Sequence, residues 1–283
     1  MNKNNIGIIG AGHMGCDLAF DIASNGIPVI LKDISSDVVS QVEKRLKSTF
    51  LQVKQHRKET KIKPFDEIVS LIHCTCNYDK FHELTFLFEN ANENWEVKKY
   101  IYTEINEVCS SDTIIGINTS CISITKLASL LNNPDKVIGT HFMNPVPLKS
   151  IVELIIGCKT SENTKNQTMD FLQQINKSSL IVNDFPGFVS NRISHLFMNE
   201  AFFVVQDNIA DPHTVDEIFK QGYGHKMGPL ETADLIGLDV VLDSLLVLYD
   251  SYKDTKYRPC PLLVKMVYAG LKGYKSGEGF FKY

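Results

Sequence analysis

Residues 7–15 read GIIGAGHMG, with glycines at positions 10, 12 and 15 placed directly after the apolar run IGII and ahead of a helical pattern that extends from Met14 to Ser24. Each glycine of this G-x-G-x-x-G spacing has its own physical use. Gly10 permits a tight turn, Gly12 lets a pyrophosphate approach the backbone, and Gly15 lets the helix pack closely on the strand. The helix then offers unpaired N–H groups and the positive end of its dipole to phosphate. A lone glycine loop is a weak signal, but this one sits between a strand and a helix. A second strand, VILKD, ends in Asp33, eighteen positions past Gly15. A carboxylate there accepts hydrogen bonds from ribose hydroxyls and repels a 2′-phosphate. The expected cofactor is therefore NAD, held by Gly10, Gly12, His13, Met14, Gly15 and Asp33. Lys32, and the lack of an arginine directly after Asp33, keep NADP as the lesser alternative.

Working outward, apolar runs recur at LTFLF, TIIGIN, KVIGTHF, IVELIIG and LIVND, with helical stretches at 97–108 and 164–175 between them. Strands that are apolar throughout and separated by helices predict a mostly parallel sheet covered on both faces, a Rossmann-type α/β domain. Residues 36–82 read as a helical hairpin inserted into that domain. It contains KQHRKETKIK, where Lys54, His56, Arg57, Lys58, Lys61 and Lys63 fall within ten positions. Such a stretch is either a solvated face or an arm for an anionic substrate handle or an acidic partner. After Pro186-Gly187 the strand signals stop and the pattern becomes helical, as in LDVVLDSLLVLYDSY. The domains are accordingly expected at 1–184 and 185–283, the second all-α.

Composition sets the outer limits. The chain has 283 residues, 43% hydrophobic and 22% charged, with a net charge of −4, which argues against a general nucleic-acid binder. Seven cysteines, at 16, 74, 76, 109, 121, 158 and 260, are scattered and form no C-x-x-C, the usage of reduced thiols in a cytoplasmic protein. No apolar run reaches membrane-spanning length and no secretory leader is expected.

The chemistry is expected around GTHFMNP, residues 139–145. On its own, the heptapeptide favours a core histidine at His141 over a metal ligand or an active-site base. Glu153, however, sits among Ile151, Val152, Leu154 and Ile155, and a carboxylate in an apolar strand is costly unless paired. Two neighbouring strands joined by a short proline-containing loop would bring Glu153 beside His141, a general base with its orienting carboxylate. Asn118, Thr119 and Ser120 end another strand, at the carboxyl edge of the sheet where ligands bind in such folds. No further His, Cys or carboxylate has ligand spacing to His141, so no metal is expected.

Six segments in order, IGIIGAGHMG, INTSC, IGTHFMNPVPLKSIVE, PGFVSNR, MGPLETADLIGLD and YKSGEGFFKY, resemble those of the 3-hydroxyacyl-CoA dehydrogenases over nearly the whole chain. The resemblance implies NAD-linked interconversion of a 3-hydroxyacyl thioester and its 3-oxo form, in a two-domain subunit whose helical half forms a homodimer. It implies His141 as the catalytic base, Glu153 as its partner, Ser120 as a contact of substrate and nicotinamide, and Asn191 as a substrate-orienting residue. It also implies cofactor contacts from Asn144, Glu93, Lys98 and Lys275. Lys149 replaces a family methionine, FENANEN departs from the usual segment, and His56 stands where a lysine contacts the CoA phosphate. With GHKMGPLETADLIGLD, these departures are similar to a branch acting on a glyceryl group carried by an acyl carrier protein for polyketide extender units. The sequence reading leans to that carrier-bound substrate, with 3-hydroxybutyryl-CoA as the alternative. A free-acid dehydrogenase with a catalytic lysine, or a non-catalytic NAD-binding protein, would not need the His–Glu pair.

Overall fold

The computed structural model describes residues 5–56 and 62–283, which form two compact units, 1–184 and 185–283. The first is built on strands β1 (Ile6–Ile9), β2 (Val29–Lys32), β3 (Ile72–Thr75), β4 (Phe86–Glu89), β5 (Ile114–Ile117), β6 (Val137–Phe142), β7 (Ile151–Ile156) and β8 (Ser178–Asn183). They form one eight-stranded sheet in the order β3-β2-β1-β4-β5-β6-β7-β8. All pairings are parallel except β6 with β7, which are antiparallel. Helices α1 (His13–Ser24), α2 (Ser36–Ser40), α3 (Val42–His56), α4 (Phe65–Val69), α5 (Trp95–Val108), α6 (Ile124–Ala128) and α7 (Glu162–Gln174) connect the strands.

The apolar runs become central strands because both faces must be covered: every residue of β1, β4, β5 and β6 is buried. Phe86, Phe88 and Phe142 meet Phe171 of α7 or one another with ring centroids 4.9 to 5.9 Å apart. Helix α5 starts at Asn94, whose side chain accepts the N–H groups of Glu96 and Val97 at 3.0 and 3.1 Å. Strand order reverses at β1, which pairs with β2 on one side and β4 on the other. Ligands bind outside the carboxyl ends of the strands at such a switch point. The glycine loop follows β1 and stands there.

The expected helical hairpin over 36–82 is only partly what the chain builds. Helices α2, α3 and α4 end by Val69, and Ile72–Thr75 then returns to the sheet as β3, parallel to β2. The strand IHCT is short, lies at the sheet edge and has only its first residue buried, so it carries little of the apolar signal that marks the other strands. Within the basic stretch, residues 57–61, including Arg57, Lys58 and Lys61, lie outside the described residues.

The second unit holds α8 (Ser190–Gln206), α9 (Pro212–Glu217), α10 (Pro229–Ile236), α11 (Leu238–Tyr252) and α12 (Pro261–Tyr268), and no strand among the described residues. Its core gathers Phe202, Leu230, Leu238, Val241, Leu245 and Leu263. Two buried carboxylates organise its loops. Asp216 accepts the N–H groups of Leu230 and Glu231 at the start of α10, and Asp234 accepts those of Phe280 and Phe281 and the Tyr283 hydroxyl. Burial raises the pKa of both carboxyls. Among the described residues no helix is long and apolar enough to cross a membrane.

Candidate active site

At the end of β1 the backbone turns through Gly10 with φ of +96°, a conformation costly for any residue with a Cβ, and a Cβ there would lie 2.7 Å from the Asn90 carbonyl oxygen. A Cβ on Gly15 would overlap the Gly10 carbonyl, so only glycine lets α1 approach the loop. At Gly12, the residue capping α1, an added Cβ would meet nothing within 4 Å. The helix N-terminus thus faces open space with no acidic residue in its first turn, and anionic phosphate fits there. Asp33 Oδ2 accepts the Ala11 N–H at 2.8 Å, which ties the end of β2 to the loop. Beside them is a cavity of about 320 Å³, lined among others by Gly10, Gly12, Asp33, Arg45 and Tyr100. The residues present fit a dinucleotide.

The antiparallel register places His141 directly opposite Glu153. Imidazole Nδ1 lies 2.8 Å from Glu153 Oε2, and the two residues are 8% and 6% exposed. An ionised carboxylate only accepts, so Nδ1 carries the proton and Nε2 keeps the lone pair with which the ring can act as a base. Asn118, at the end of β5, fixes the neighbouring loops: its Nδ2 donates to Asn90 Oδ1 at 2.6 Å, and its Oδ1 accepts the Phe142 N–H at 3.3 Å.

Several expected residues take parts that the sequence did not suggest. Glu93 Oε1 accepts the N–H groups of Ser120, Cys121 and Ile122 at 3.1 to 3.3 Å, together with the Thr119 hydroxyl, so it shapes the loop that carries Ser120. Lys98, expected as a cofactor contact, is wholly buried. Its ammonium lies 2.7 Å from Glu89 Oε2, which also accepts the Tyr102 hydroxyl at 2.8 Å, and Lys98 has no surface to offer a ligand. Burial, then the Glu89 charge, pushes the Tyr102 phenol well above its usual range. Asn144 is exposed in the loop after β6 and precedes a cis proline. Asn191 opens α8 and Lys275 pairs with Asp239, both within the second unit. Among the described residues no cluster of His, Cys, Asp or Glu could hold a metal.

The sequence reading missed the clamp on the turn between β6 and β7. Lys177 is buried, and its ammonium pairs with Asp21 Oδ2 at 2.8 Å and donates to the carbonyls of Val146 and Lys149 at 2.6 and 2.5 Å. Asp17, one turn before Asp21 on α1, takes the Thr49 hydroxyl at 2.7 Å and the Val146 N–H, while burial holds its carboxyl above the usual range. Two polar positions four apart on a helix that is otherwise buried were the available signal. Lys177 had none.

The family model described as the 3-hydroxyacyl-CoA dehydrogenase NAD-binding domain matches residues 5–185, and that described as the C-terminal domain matches residues 187–283. The chain is 39% identical over 285 residues to the probable 3-hydroxybutyryl-CoA dehydrogenase of Bacillus subtilis, covering 100% of this chain and 98% of that one. It is 39% identical over 278 residues to the 3-hydroxybutyryl-CoA dehydrogenase of Clostridioides difficile, covering 98% and 99%. Among solved structures, that of (S)-3-hydroxybutyryl-CoA dehydrogenase from Ralstonia eutropha matches with a TM-score of 0.91 at 38% identity, covering 100% and 99%. Matched by the two halves of one family in their proper order, the chain belongs to the 3-hydroxyacyl-CoA dehydrogenases and uses NAD.

Proposed function

We propose that this chain is a 3-hydroxybutyryl-CoA dehydrogenase, interconverting the 3-hydroxy and 3-oxo forms of a short acyl-CoA thioester. The observation that carries the reading is the His141–Glu153 hydrogen bond at 2.8 Å, beside a loop suited to a dinucleotide. The carrier-protein substrate favoured by the sequence gives way. Relatives that span the whole chain bear the CoA name, and the basic stretch on which that reading leaned runs through residues outside those described.

In this reading His141 Nε2 takes the proton of the 3-hydroxyl in the oxidative direction. Glu153 holds the tautomer that leaves Nε2 free of a proton and balances the imidazolium that forms. Gly10, Gly12, Gly15 and Asp33 would hold NAD, which would supply the hydride acceptor for C3 when bound. Ser120 and Asn191 orient the reacting oxygen and the thioester, and such positioning supplies much of the rate. Asp33, His13, Met14, Asn144 and Lys275 are assigned to the cofactor, with Glu93 acting chiefly through the Ser120 loop. The second unit exposes Ile193, Ile209, Leu235, Leu246 and Tyr268, apolar side chains that suit a homodimer interface, and the free thiols suit a cytoplasmic setting.

His141→Ala should lower turnover by roughly 10²–10⁴ with NADH binding unchanged, as read by absorbance at 340 nm and a fluorescence titration; near-normal turnover removes the assignment of the base. The kcat/KM for 3-hydroxybutyryl-CoA should exceed that for the same acyl group on an acyl carrier protein, and the reverse order would restore the carrier reading. Light scattering at micromolar concentration should report a dimer; a monomer refutes the interface and leaves the enzyme. Lys177→Met takes the ammonium away from the buried Asp21 carboxylate and should cost about 3–5 kcal/mol of stability. Adding Asp21→Asn should return most of that stability while kcat stays low, because the carbonyls of the turn remain unheld. Normal kcat in the double variant would make the clamp purely structural.

A further inference from the structure

Two charged side chains from different elements hold the peptide groups on either side of Ala11 in the glycine loop. The Ala11 N–H donates to Asp33 Oδ2 at 2.8 Å, and the Ala11 carbonyl accepts from the Arg45 guanidinium. Asp33 stands at the end of β2 and gives its other oxygen to the Ser35 N–H at 3.1 Å; Arg45 comes from the first turn of α3. Both line the cavity of about 320 Å³ next to the loop, together with Ile34, Val38 and Tyr100.

The other cation lining that cavity is Lys32, and it is already engaged. It is 5% exposed, and its ammonium sits 3.9 Å from the centre of the Tyr78 ring. Burial lowers its pKa, which disfavours the charge a phosphate would need. Arg45 is half-buried, and a guanidinium carries five donors in a planar fork suited to phosphate, more than its contacts with the Ala11 carbonyl and the Cys16 thiol use. The cavity therefore combines an anion that accepts ribose hydroxyls and repels phosphate with a cation that would attract it.

We propose that Arg45 is a latent 2′-phosphate receptor, and that the charge of Asp33 alone keeps NADP(H) out. The proposal rests on reading this cavity as the adenosine end of the cofactor site. It locates the arginine absent after Asp33 in sequence on a separate helix, where it already serves the loop as a hydrogen-bond donor. Cofactor preference then hangs on one carboxylate.

The test is direct binding of NADH and NADPH, followed by the fluorescence of the reduced nicotinamide. Asp33→Asn is the informative variant, because the asparagine oxygen can still accept the Ala11 N–H while the charge is gone. It should tighten NADPH at least tenfold relative to the native chain and weaken NADH. Asp33→Asn with Arg45→Met should lose that gain, and its NADPH affinity should fall less steeply with salt than that of Asp33→Asn alone. Arg45→Met alone, which keeps the Asp33 anchor should the first variant fail to fold, should weaken whatever NADPH binding the native chain shows. NADPH bound as tightly by the double variant as by Asp33→Asn, or native NADPH binding undiminished in Arg45→Met, overturns the role of Arg45. If NADH weakens in those variants, the adenosine site still stands. Native affinities for both nucleotides in Asp33→Asn would remove the assignment of the cavity itself.

Discussion

The antiparallel pairing of β6 with β7 is the constraint on which the site depends. Directly opposed residues of an antiparallel ladder point to the same face, so His141 opposite Glu153 brings ring and carboxylate within one hydrogen bond. A slip of one residue would set Val152 or Leu154 against the imidazole and turn the Glu153 carboxylate to the opposite face of the sheet. The register is secured from two sides. Strand β8 pairs with β7 along six residues, and the turn between β6 and β7 is held at Val146 and Lys149 by Lys177 and Asp17. Helix α1, whose first turn faces the open space at Gly12, carries both Asp17 and Asp21. One element therefore supports the dinucleotide loop and the hairpin of the proposed base together.

Buried charge in this unit is concentrated around the ends of the central strands. Glu89, Lys98 and Tyr102 form a wholly buried set beneath the segment that delivers Glu93 to the Ser120 loop, with Lys98 4.0 Å from Glu93. Such groups gain little over well-packed apolar residues, because desolvation offsets most of the attraction. What they add is direction: an ammonium bonded to both oxygens of a buried carboxylate tolerates few arrangements of its acceptors, where a methionine would tolerate several. In a dehydrogenase site, where a misplacement of an ångström costs rate, direction matters more than the net stabilisation.

The sequence made the central architecture legible because its signals are dense and local. The apolar runs, the three glycines and Asp33 each carry a physical requirement within a few residues, and the His141–Glu153 pair followed from the cost of a lone carboxylate in an apolar strand. What stayed hidden depends on contacts far apart in the chain. Arg45 reaches a loop thirty-four residues back, and Lys177 reaches Asp21 across most of the first unit. Strand β3 was taken into a helical hairpin because an edge strand with one buried residue shows no apolar run. Lys98 was expected at the cofactor from the family resemblance, and nothing local announces that Glu89, at the end of the preceding strand, draws it inside.

The two ends of the site are encoded in different ways. At the reacting end, the partners of the proposed base are set by a backbone ladder whose register cannot change without rebuilding the sheet. At the nucleotide end, the charges of Asp33 and Arg45 are attached to the loop backbone at Ala11 from outside, and either can be exchanged while the glycines keep the turn. Chemistry is therefore the conserving part of such a scaffold, and recognition of phosphates and substrate handles the adjustable part. That asymmetry explains why the residues alone reached a dinucleotide loop and a paired base, while the lean to a carrier-protein handle finds no support in the names of the relatives. The ladder leaves a strong mark in sequence, whereas a handle is recognised by surface charges whose partners lie beyond the chain.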